Sequence, residues 1–224
     1  MAAGEGRRLR PLTERWPKPL LPIDGRPVIA TLLRELAATG PARVTVVTGH
    51  LAEEIEGLLG DGAAFGLDLR YVRQPAPDGS ADAVLRALRA GAAPPFLVVA
   101  ADTVFSPGDL RRFAEAFRDA AGAVGIRRTE NAPAPIEVED GRVRRLVLAD
   151  PRSPFRAAPL WAIGAPLLRH LENLPGPPLE LAVAFQRAID AGEAIAAVEI
   201  GKTRDLTDPL DLVEENFPYL GQTP

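Results

Sequence analysis

Residues near the start of the chain have the types and spacing expected of an anion-binding loop. Gly4 and Gly6 are separated by one residue, and glycine lets the backbone approach a ligand closely. Successive amide N–H groups in such a turn form a concave site for an anion. Several cations follow the second glycine closely, namely Arg7, Arg8, Arg10, Arg15 and Lys18. Glycines and cations together predict a site for a polyphosphate, which arginine binds with two donors and lysine as a point charge.

Two common phosphate motifs are excluded by the spacing. The chain has no GxxxxGK[ST] sequence, and Gly4-x-Gly6-x-x-Leu9 lacks the third glycine of a dinucleotide-binding motif. A disordered basic tail is the alternative interpretation of the same charges. Prolines interleaved with aliphatic residues between Pro11 and Ile23 favour an ordered, anchored loop instead.

Asp102 directly follows an apolar run that predicts a buried strand at 96–100. Ligands of α/β proteins bind at the carboxyl ends of parallel strands, where this aspartate is expected. A carboxylate there suits Mg²⁺, which takes one or two protein carboxylates and completes its coordination with phosphate and water. A solvated loop aspartate is the other interpretation, and the residue types alone leave both open.

A turn-rich segment from Gln74 to Ala83 separates a predicted strand from a predicted helix. Pro77-Asp78-Gly79 within it is typical of an ordinary turn. A glutamine amide, however, offers both a donor and an acceptor to the edge of a nucleotide base. The residue types alone indicate an ordinary turn, and a ligand-binding role for this segment enters only with the family resemblance described below.

Length and composition are those of one globular domain. The chain has 224 residues, of which 46% are hydrophobic and 25% are charged. A net charge of −4 and a pI near 5.4 speak against nucleic-acid binding, since the basic residues are concentrated near the start. Cysteine is absent, which excludes disulfides, thiolate catalysis and cysteine-based zinc sites. No span is long and apolar enough for a membrane helix, so we expect a cytoplasmic protein without membrane contact.

Hydrophobic periodicity predicts alternating helices and strands up to about residue 120. Helices are predicted from Pro27 to Leu36 and at 51–59, 80–90 and 107–119, and strands at 43–48, 67–73 and 96–100. This alternation predicts an α/β fold with a mainly parallel sheet covered by helices on both faces. Beyond residue 120 we predict a hairpin at 136–148, strands at 158–163 and 194–200, and helices near 165–173, 179–191 and 208–217.

Residues 4–22 resemble the signature of sugar-1-phosphate nucleotidyltransferases. That signature reads GxGxRLxPLT followed by PKPLLP, and this chain has GEGRRLRPLT and then PKPLLP. The resemblance extends across almost the whole chain. It implies a Rossmann-like three-layer α/β/α domain over 1–224, with a mainly parallel mixed sheet, a nucleotide-binding half (1–130) and an acceptor-binding half (131–224). No hexapeptide repeat is present, so the β-helix extension of some relatives is not expected.

The resemblance also implies an activity, a metal and a set of site residues. A nucleotidyl group would pass from an NTP, with dTTP or UTP favoured, to a sugar 1-phosphate, and Mg²⁺ would be the metal. The nucleotide would be bound by Ala3, Gly4, Gly6, Gln74 and Gly79. Arg8 and Lys18 would be catalytic, Asp102 and Asp205 would hold the metal, and Glu180 would contact the substrate.

Several positions depart from the family pattern. Ala101 and Thr207 replace glycines beside the two metal aspartates, and Asp208 before Pro209 is itself typical of a helix N-cap. In the acceptor half, Ala134-Pro135 stands in place of Tyr-Gly, and Ala149-Asp150-Pro151 in place of Glu-Lys-Pro. A nucleotide- or NDP-sugar-binding protein without activity, and a transferase for a non-sugar phosphate, are therefore alternative functions.

The segment 4–13, called the glycine loop below, should follow a buried strand that directs it at the ligand. Only Met1-Ala2-Ala3 precedes it, so the first central strand is missing from this sequence. We expect an apolar segment to be encoded upstream of Met1, because losing a central strand would leave the ladder groups of its neighbours unpaired. His50 and His170 have no partner pattern, and we expect them at the surface or at helix ends.

Overall fold

A computed structural model describes residues 1–41, 43–117, 120–128, 136–146 and 154–217 of the chain. Its helices are α1 (Val28–Ala37), α2 (Ala52–Leu59), α3 (Ser80–Arg89), α4 (Asp109–Ala116), α5 (Leu181–Asp190) and α6 (Pro209–Asn216). Its strands are β1 (Pro22–Ile23), β2 (Arg26–Pro27), β3 (Val44–Thr48), β4 (Leu69–Arg73), β5 (Phe96–Val99), β6 (Thr103–Val104), β7 (Gly122–Arg128), β8 (Glu137–Glu139), β9 (Arg142–Arg145), β10 (Phe155–Ile163), β11 (Ile195–Glu199) and β12 (Arg204–Asp205). Short 3-10 helices cover Arg7–Leu9, Leu12–Glu14, Lys18–Leu20, Ala63–Phe65 and Ala165–Leu171.

The chain forms two compact units that are discontinuous in sequence. The first contains residues 1–77, 100–107 and those from 203 onward, and the second contains residues 78–99 and 108–202. The first unit carries the glycine loop and both aspartates of interest, Asp102 and Asp205. The second carries Gly79 and Glu180.

In the first unit, β3 and β4 form a parallel pair, with Val44 opposite Leu69 and Thr48 opposite Arg73. Valine and threonine favour the extended backbone of β3, and α2 makes the crossover that a parallel pair requires. Met1-Ala2-Ala3 lies beside β3 and is hydrogen-bonded on both sides. The Ala2 N–H donates to the Val47 carbonyl at 2.7 Å, and the Ala101 N–H donates to the Met1 carbonyl at 2.9 Å. The expected upstream strand stays a prediction.

The second unit contains a six-stranded sheet with the order β5-β10-β7-β11-β9-β8. β7 and β11 are parallel, whereas β10 runs antiparallel to both β5 and β7. α5 packs its Phe185 ring at 4.8 Å from the ring of Trp161 in β10. Helices and a mixed sheet confirm the α/β class expected from the sequence.

Most predicted elements coincide with observed ones within about two residues, as is usual for element boundaries. The hairpin at 136–148 corresponds to β8 and β9, and its turn residues Asp140 and Gly141 both have positive φ, 50° and 70°. Two successive positive φ values are typical of the type I′ turn that suits a two-residue hairpin loop. The predicted helix near 165–173 is a 3-10 helix, Ala165–Leu171. The departures at Ala134-Pro135 and Ala149-Asp150-Pro151 lie outside the described residues.

Within the described residues, no helix has both the length and the apolar character needed to cross a bilayer.

Candidate active site

The backbone of the glycine loop turns sharply at Gly6, which has φ 61° and ψ 37°. This left-handed conformation favours glycine. Close packing also requires glycine at this position, because a Cβ at Gly6 would lie 2.9 Å from Cγ2 of Thr13 and 3.3 Å from Cβ of Lys18. The chain then enters the 3-10 helix that ends at buried Leu9. The loop is therefore ordered and anchored, and Lys18 lies directly beside it.

The glycine loop begins with three successive backbone amides, those of residues 4–6. Within the described residues, the backbone N–H groups of residues 4–6 donate no hydrogen bond to another part of the chain. The Gly6 carbonyl, in contrast, accepts from the Leu9 N–H and from the Thr13 hydroxyl, each at 2.9 Å. An anion site is expected to have this arrangement, in which the loop carbonyls accept hydrogen bonds from the protein and the loop amides remain available to a ligand.

The arginines of the loop divide into two groups. Arg7 and Arg10 contact Glu5 at 2.9 Å and 3.1 Å, so their charges are partly neutralised. The hydrogen bond from Arg7 lowers the pKa of the Glu5 carboxyl, which therefore stays ionised at neutral pH. Arg8 is exposed, and within the described residues its guanidinium contacts no acidic side chain. Of these three arginines, Arg8 has the charge most available to an anionic ligand.

Lys18 and Asp102 form a close ion pair. The Lys18 Nζ atom lies 2.5 Å from the Asp102 Oδ2 atom, and the side chains are 15% and 31% exposed. Lys18 begins a 3-10 helix between two buried prolines, Pro17 and Pro19, which fix its position. Asp102 lies in the turn before β6. Two residues predicted for different roles in one reaction thus contact each other directly.

Asp205 is held next to Asp102 by strand pairing. β12 and β6 are antiparallel, and Asp205 lies opposite Thr103, the residue after Asp102. The Asp205 side chain is exposed and accepts from the Thr207 hydroxyl at 3.2 Å. Asp208 has the structural role predicted for it, because it caps α6 in a reciprocal capping box with Asp211. Asp205, which has no capping role, is therefore the better candidate of the two carboxylates to face a ligand.

A small apolar cluster connects the segments that carry these polar residues. Its buried members come from the glycine loop, from the segment after Lys18 including β1, from α1 and from the residue after β12, and they are Leu9, Leu21, Ile23, Val28 and Leu206. Val104 of β6 and Leu212 of α6 pack against them. Each polar residue is within three positions of a cluster member, since Leu9 follows Arg8 and Leu206 follows Asp205. Burial of each of these aliphatic side chains contributes roughly 1.5–3 kcal/mol to the stability of the fold, and this packing holds the site in place.

The pair Asp102 and Asp205 fits the donor preference of Mg²⁺. Both offer oxygen ligands, Asp205 from β12 and Asp102 from the residue just before its partner strand β6, and both are partly or fully exposed. Within the described residues, no group of three or more acidic or histidine side chains could hold a metal ion. A cation at this pair would thus have at most two protein carboxylates and would take its other ligands from water or phosphate. This is the usual coordination of Mg²⁺ in nucleotide-binding proteins.

Gln74 also belongs to the first unit. It directly follows β4, and its N–H donates to the Thr48 carbonyl at 2.7 Å. Its side chain is buried, in contrast to most glutamines. A buried amide at the carboxyl end of a parallel strand is a suitable group to recognise a base edge.

Gly79 and Glu180 lie in two segments of the second unit that contact each other. Gly79 has φ 101°, and a Cβ there would lie 2.3 Å from the Leu179 carbonyl oxygen. Packing against Leu179 is thus sufficient to require glycine at this position. The Ser80 hydroxyl donates to Glu180 Oε2 at 2.6 Å and accepts from the Leu181 N–H at 2.8 Å. Ser80 therefore orients the predicted substrate residue, a role that sequence reasoning missed.

His50 is the second residue of interest that the sequence did not reveal. It follows Thr48-Gly49 at the carboxyl end of β3, and its Nε2 atom lies 2.6 Å from the Thr13 carbonyl oxygen. Its place after a parallel strand could have indicated a position near the site.

Comparison with known proteins gives a consistent result. A family model described as nucleotidyl transferase matches residues 1–146. A glucose-1-phosphate thymidylyltransferase of Streptomyces antibioticus is 32% identical over 235 residues, covering 98% of this chain and 65% of the relative. An N-acetylmuramate alpha-1-phosphate uridylyltransferase of Neisseria meningitidis serogroup B is 39% identical over 105 residues, covering 46% of each chain. The aligned region thus covers less than two-thirds of the length of each of these relatives.

A solved structure supports the fold. The crystal structure titled as a putative glucose-1-phosphate thymidylyltransferase from Bacillus anthracis superposes with a TM-score of 0.85 at 20% sequence identity. The match covers 100% of this chain and 94% of that chain. At this identity the likeness establishes the architecture.

Proposed function

The chain belongs to the nucleotidyl transferase family, and we propose that it transfers a nucleotidyl group from an NTP to a sugar 1-phosphate, giving an NDP-sugar and pyrophosphate. The observation that carries the proposal is the Lys18–Asp102 ion pair, which lies beside a glycine loop with three uncommitted amides. The relatives named as thymidylyl- and uridylyltransferases support the same class of reaction.

In the proposed reaction, a phosphate oxygen of the acceptor attacks the α-phosphorus of the NTP. The new bond joins that oxygen to the α-phosphorus, and the bond between the α-phosphorus and the bridging oxygen to the β-phosphorus breaks. Pyrophosphate leaves with the electron pair of the broken bond. The acceptor is already an anion, so neither a protein nucleophile nor a general base is required. Catalysis then consists of positioning and charge stabilisation.

The residues of the first unit supply these functions. The amides of Gly4 and Gly6 hold the triphosphate, and Ala3 lies immediately before them. Arg8 stabilises the charge of the departing pyrophosphate. Lys18 stabilises the charge that develops at the α-phosphoryl group, for which its ammonium must leave Asp102 for a phosphate oxygen.

Asp102 and Asp205 would hold Mg²⁺. Bound there, the metal would supply positive charge to the phosphate oxygens. The two carboxylates also repel the phosphates when no cation is present, so they exclude an unaccompanied triphosphate.

Recognition of the base and of the acceptor is assigned to further residues. The buried amide of Gln74 contacts the base, with Gly79 nearby in sequence, and dTTP or UTP is the proposed donor. Glu180, oriented by Ser80, hydrogen-bonds to hydroxyl groups of the sugar. A glutamate whose orientation is fixed loses less rotamer freedom when the acceptor binds.

The test is to incubate the protein with each NTP, a panel of phosphorylated acceptors and Mg²⁺ while pyrophosphate is measured. The panel contains sugar 1-phosphates together with choline phosphate and glycerol phosphate. We expect pyrophosphate only with a sugar 1-phosphate, and we expect Asp102→Asn to abolish it. Arg43→Met is a matched control, because it removes an exposed ion pair with Asp68 elsewhere in the first unit.

Two results would contradict the proposal in different ways. Pyrophosphate release with choline phosphate or glycerol phosphate alone would assign a different acceptor. Tight NTP or NDP-sugar binding without pyrophosphate release under any condition would indicate a non-catalytic binding protein.

A further inference from the structure

His50 makes a contact that the reaction chemistry does not use. Its Nε2 atom lies 2.6 Å from the Thr13 carbonyl oxygen. A carbonyl oxygen can only accept, so Nε2 carries the hydrogen and donates it. The side chain is thus committed to the end of the glycine loop and is not available as a general base through this nitrogen.

Three hydrogen bonds connect His50, Thr13 at the end of the glycine loop, and the start of that loop. The Thr13 hydroxyl donates to the Gly6 carbonyl at 2.9 Å, near the start of the loop. The His50 N–H donates to the Ala3 carbonyl at 3.3 Å, immediately before the loop. The third contact is the one from the imidazole to Thr13. These bonds connect the start of the loop to Thr13 at its end, and they connect both Thr13 and Ala3 to His50, two residues after β3.

Close packing around these bonds requires the residue types found at positions 6, 13 and 49. Thr13 is 1% exposed, so its hydroxyl is buried and needs the acceptor that Gly6 provides. Gly49 lets the chain pass close to the loop, because a Cβ there would lie 2.7 Å from the Ala3 carbonyl oxygen. The methyl group of Thr13 in turn fills the space that a side chain at Gly6 would occupy.

We propose that His50 and Thr13 form a clasp that holds the glycine loop in its anion-binding conformation before the nucleotide arrives. This inference rests on the proposed function. The clasp uses loop carbonyls as acceptors and leaves the amides of residues 4–6 for the triphosphate. An ordered loop does not lose conformational freedom when it binds phosphate, so preorganisation increases affinity for the triphosphate. His50 and Thr13 are accordingly positioning residues.

The experiment compares variants that keep or remove the donors. Glutamine at position 50 can place an amide donor near the position of Nε2, whereas phenylalanine keeps the ring shape without a donor. Thr13→Val removes the hydroxyl at nearly constant shape, and Thr13→Ser retains it. His170→Phe, in the second unit, is the matched control. Each protein is titrated with UTP and with dTTP in the presence of Mg²⁺ by calorimetry, and its Tm is recorded.

We expect His50→Phe and Thr13→Val each to weaken triphosphate binding about threefold to tenfold, the usual effect of one lost hydrogen bond. His50→Gln and Thr13→Ser should stay within about twofold of the wild type. The double variant His50→Phe/Thr13→Val should lose less than the product of the single effects, because both act through one loop. The KM for the sugar 1-phosphate should not change in any variant.

Three outcomes would overturn the clasp. The first is that His50→Phe binds the triphosphate as tightly as the wild type does. The second is that His50→Phe loses affinity and His50→Gln does not restore it. The third is that His170→Phe loses as much affinity for the same decrease in Tm. A wild-type protein that binds neither UTP nor dTTP contradicts the proposed function, and the clasp with it.

Discussion

Replacing Lys18 by methionine should strengthen divalent cation binding while it abolishes catalysis. In the structure the Lys18 ammonium contacts Asp102 at 2.5 Å, so a cation that binds Asp102 must first displace it. The free energy of the ion pair is therefore subtracted from that of cation binding. Methionine has similar length and no charge, so Lys18→Met removes the competitor without removing the carboxylate.

The structure sets the size of the effect. A hydrogen bond to a charged group contributes about 1.5–3 kcal/mol, and the pair is partly solvated, with 15% and 31% exposure of its side chains. The lower end of that range is appropriate because solvent screens the charges. Since about 1.4 kcal/mol corresponds to a factor of ten, the dissociation constant of the cation should fall about tenfold.

Mn²⁺ is the suitable probe, because the electron paramagnetic resonance signal of the free ion reports binding directly. Titrations without nucleotide should give the order Lys18→Met, then wild type, then Asp102→Asn, from tightest to weakest. Arg43→Met, which loses a cation far from Asp102 in sequence and paired with Asp68, should match the wild type. Weaker or unchanged Mn²⁺ binding by Lys18→Met would refute the argument that the ion pair and the metal compete for Asp102.

Three further predictions concern other positions. Asp205→Asn should lower kcat at least about 100-fold, as loss of a charge-stabilising group does, in steady-state assays with saturating Mg²⁺. Gly79→Ala should lower the unfolding free energy in urea by about 1–3 kcal/mol, because its Cβ would lie 2.3 Å from the Leu179 carbonyl oxygen at a φ of 101°. The hydrogen bond from Arg204 lowers the pKa of Asp24 below its ordinary 3.8, so the pair stabilises the fold above that pH. The stability advantage of the wild type over Asp24→Asn, under about 1 kcal/mol for such an exposed carboxylate, should decline as the pH falls below 3.8 and vanish once the pH is below the lowered pKa.

Each of these has a clear contrary result. Full activity of Asp205→Asn would assign the second carboxylate to another acid, and Asp208→Asn is the variant to compare. An unchanged unfolding free energy of Gly79→Ala in urea would mean that the Leu179 segment moves aside at little energetic cost. An advantage of the wild type over Asp24→Asn that does not decline between pH 5 and pH 2 would show that the charge of the carboxylate is not responsible.

The first hundred residues could be predicted well because their signals are local. Glycines, prolines and cations in the first 22 positions indicate the loop, and each helix up to α3 has a clear apolar face. The position of Asp102 just after a buried strand could likewise be inferred, whereas its role as a metal ligand stays a prediction. The capping role of Asp208 could likewise be predicted, since the cap depends on neighbours only.

The elements that were not predicted depend on long-range pairing. β7 has the sequence GAVGIRR, whose glycines and alanine give no strand signal. Glycine is needed there because a Cβ at Gly122 would lie 3.0 Å from both the Ala162 carbonyl oxygen and the Phe185 ring. β6 and β12 have two residues each, too few to show a period, yet their pairing brings Asp205 beside Asp102. His50 contacts a residue 37 positions away, and no sequence spacing reports that distance.

The most direct test of the central claim follows the oxygen atoms of the acceptor. A sugar 1-phosphate labelled with ¹⁸O in its phosphate is incubated with the NTP, Mg²⁺ and the protein, and the products are analysed by mass spectrometry and ³¹P NMR. Attack of the acceptor on the α-phosphorus predicts that all of the label stays in the NDP-sugar and that the pyrophosphate is unlabelled. Label in the pyrophosphate, or consumption of NTP without any NDP-sugar, would contradict nucleotidyl transfer at this site.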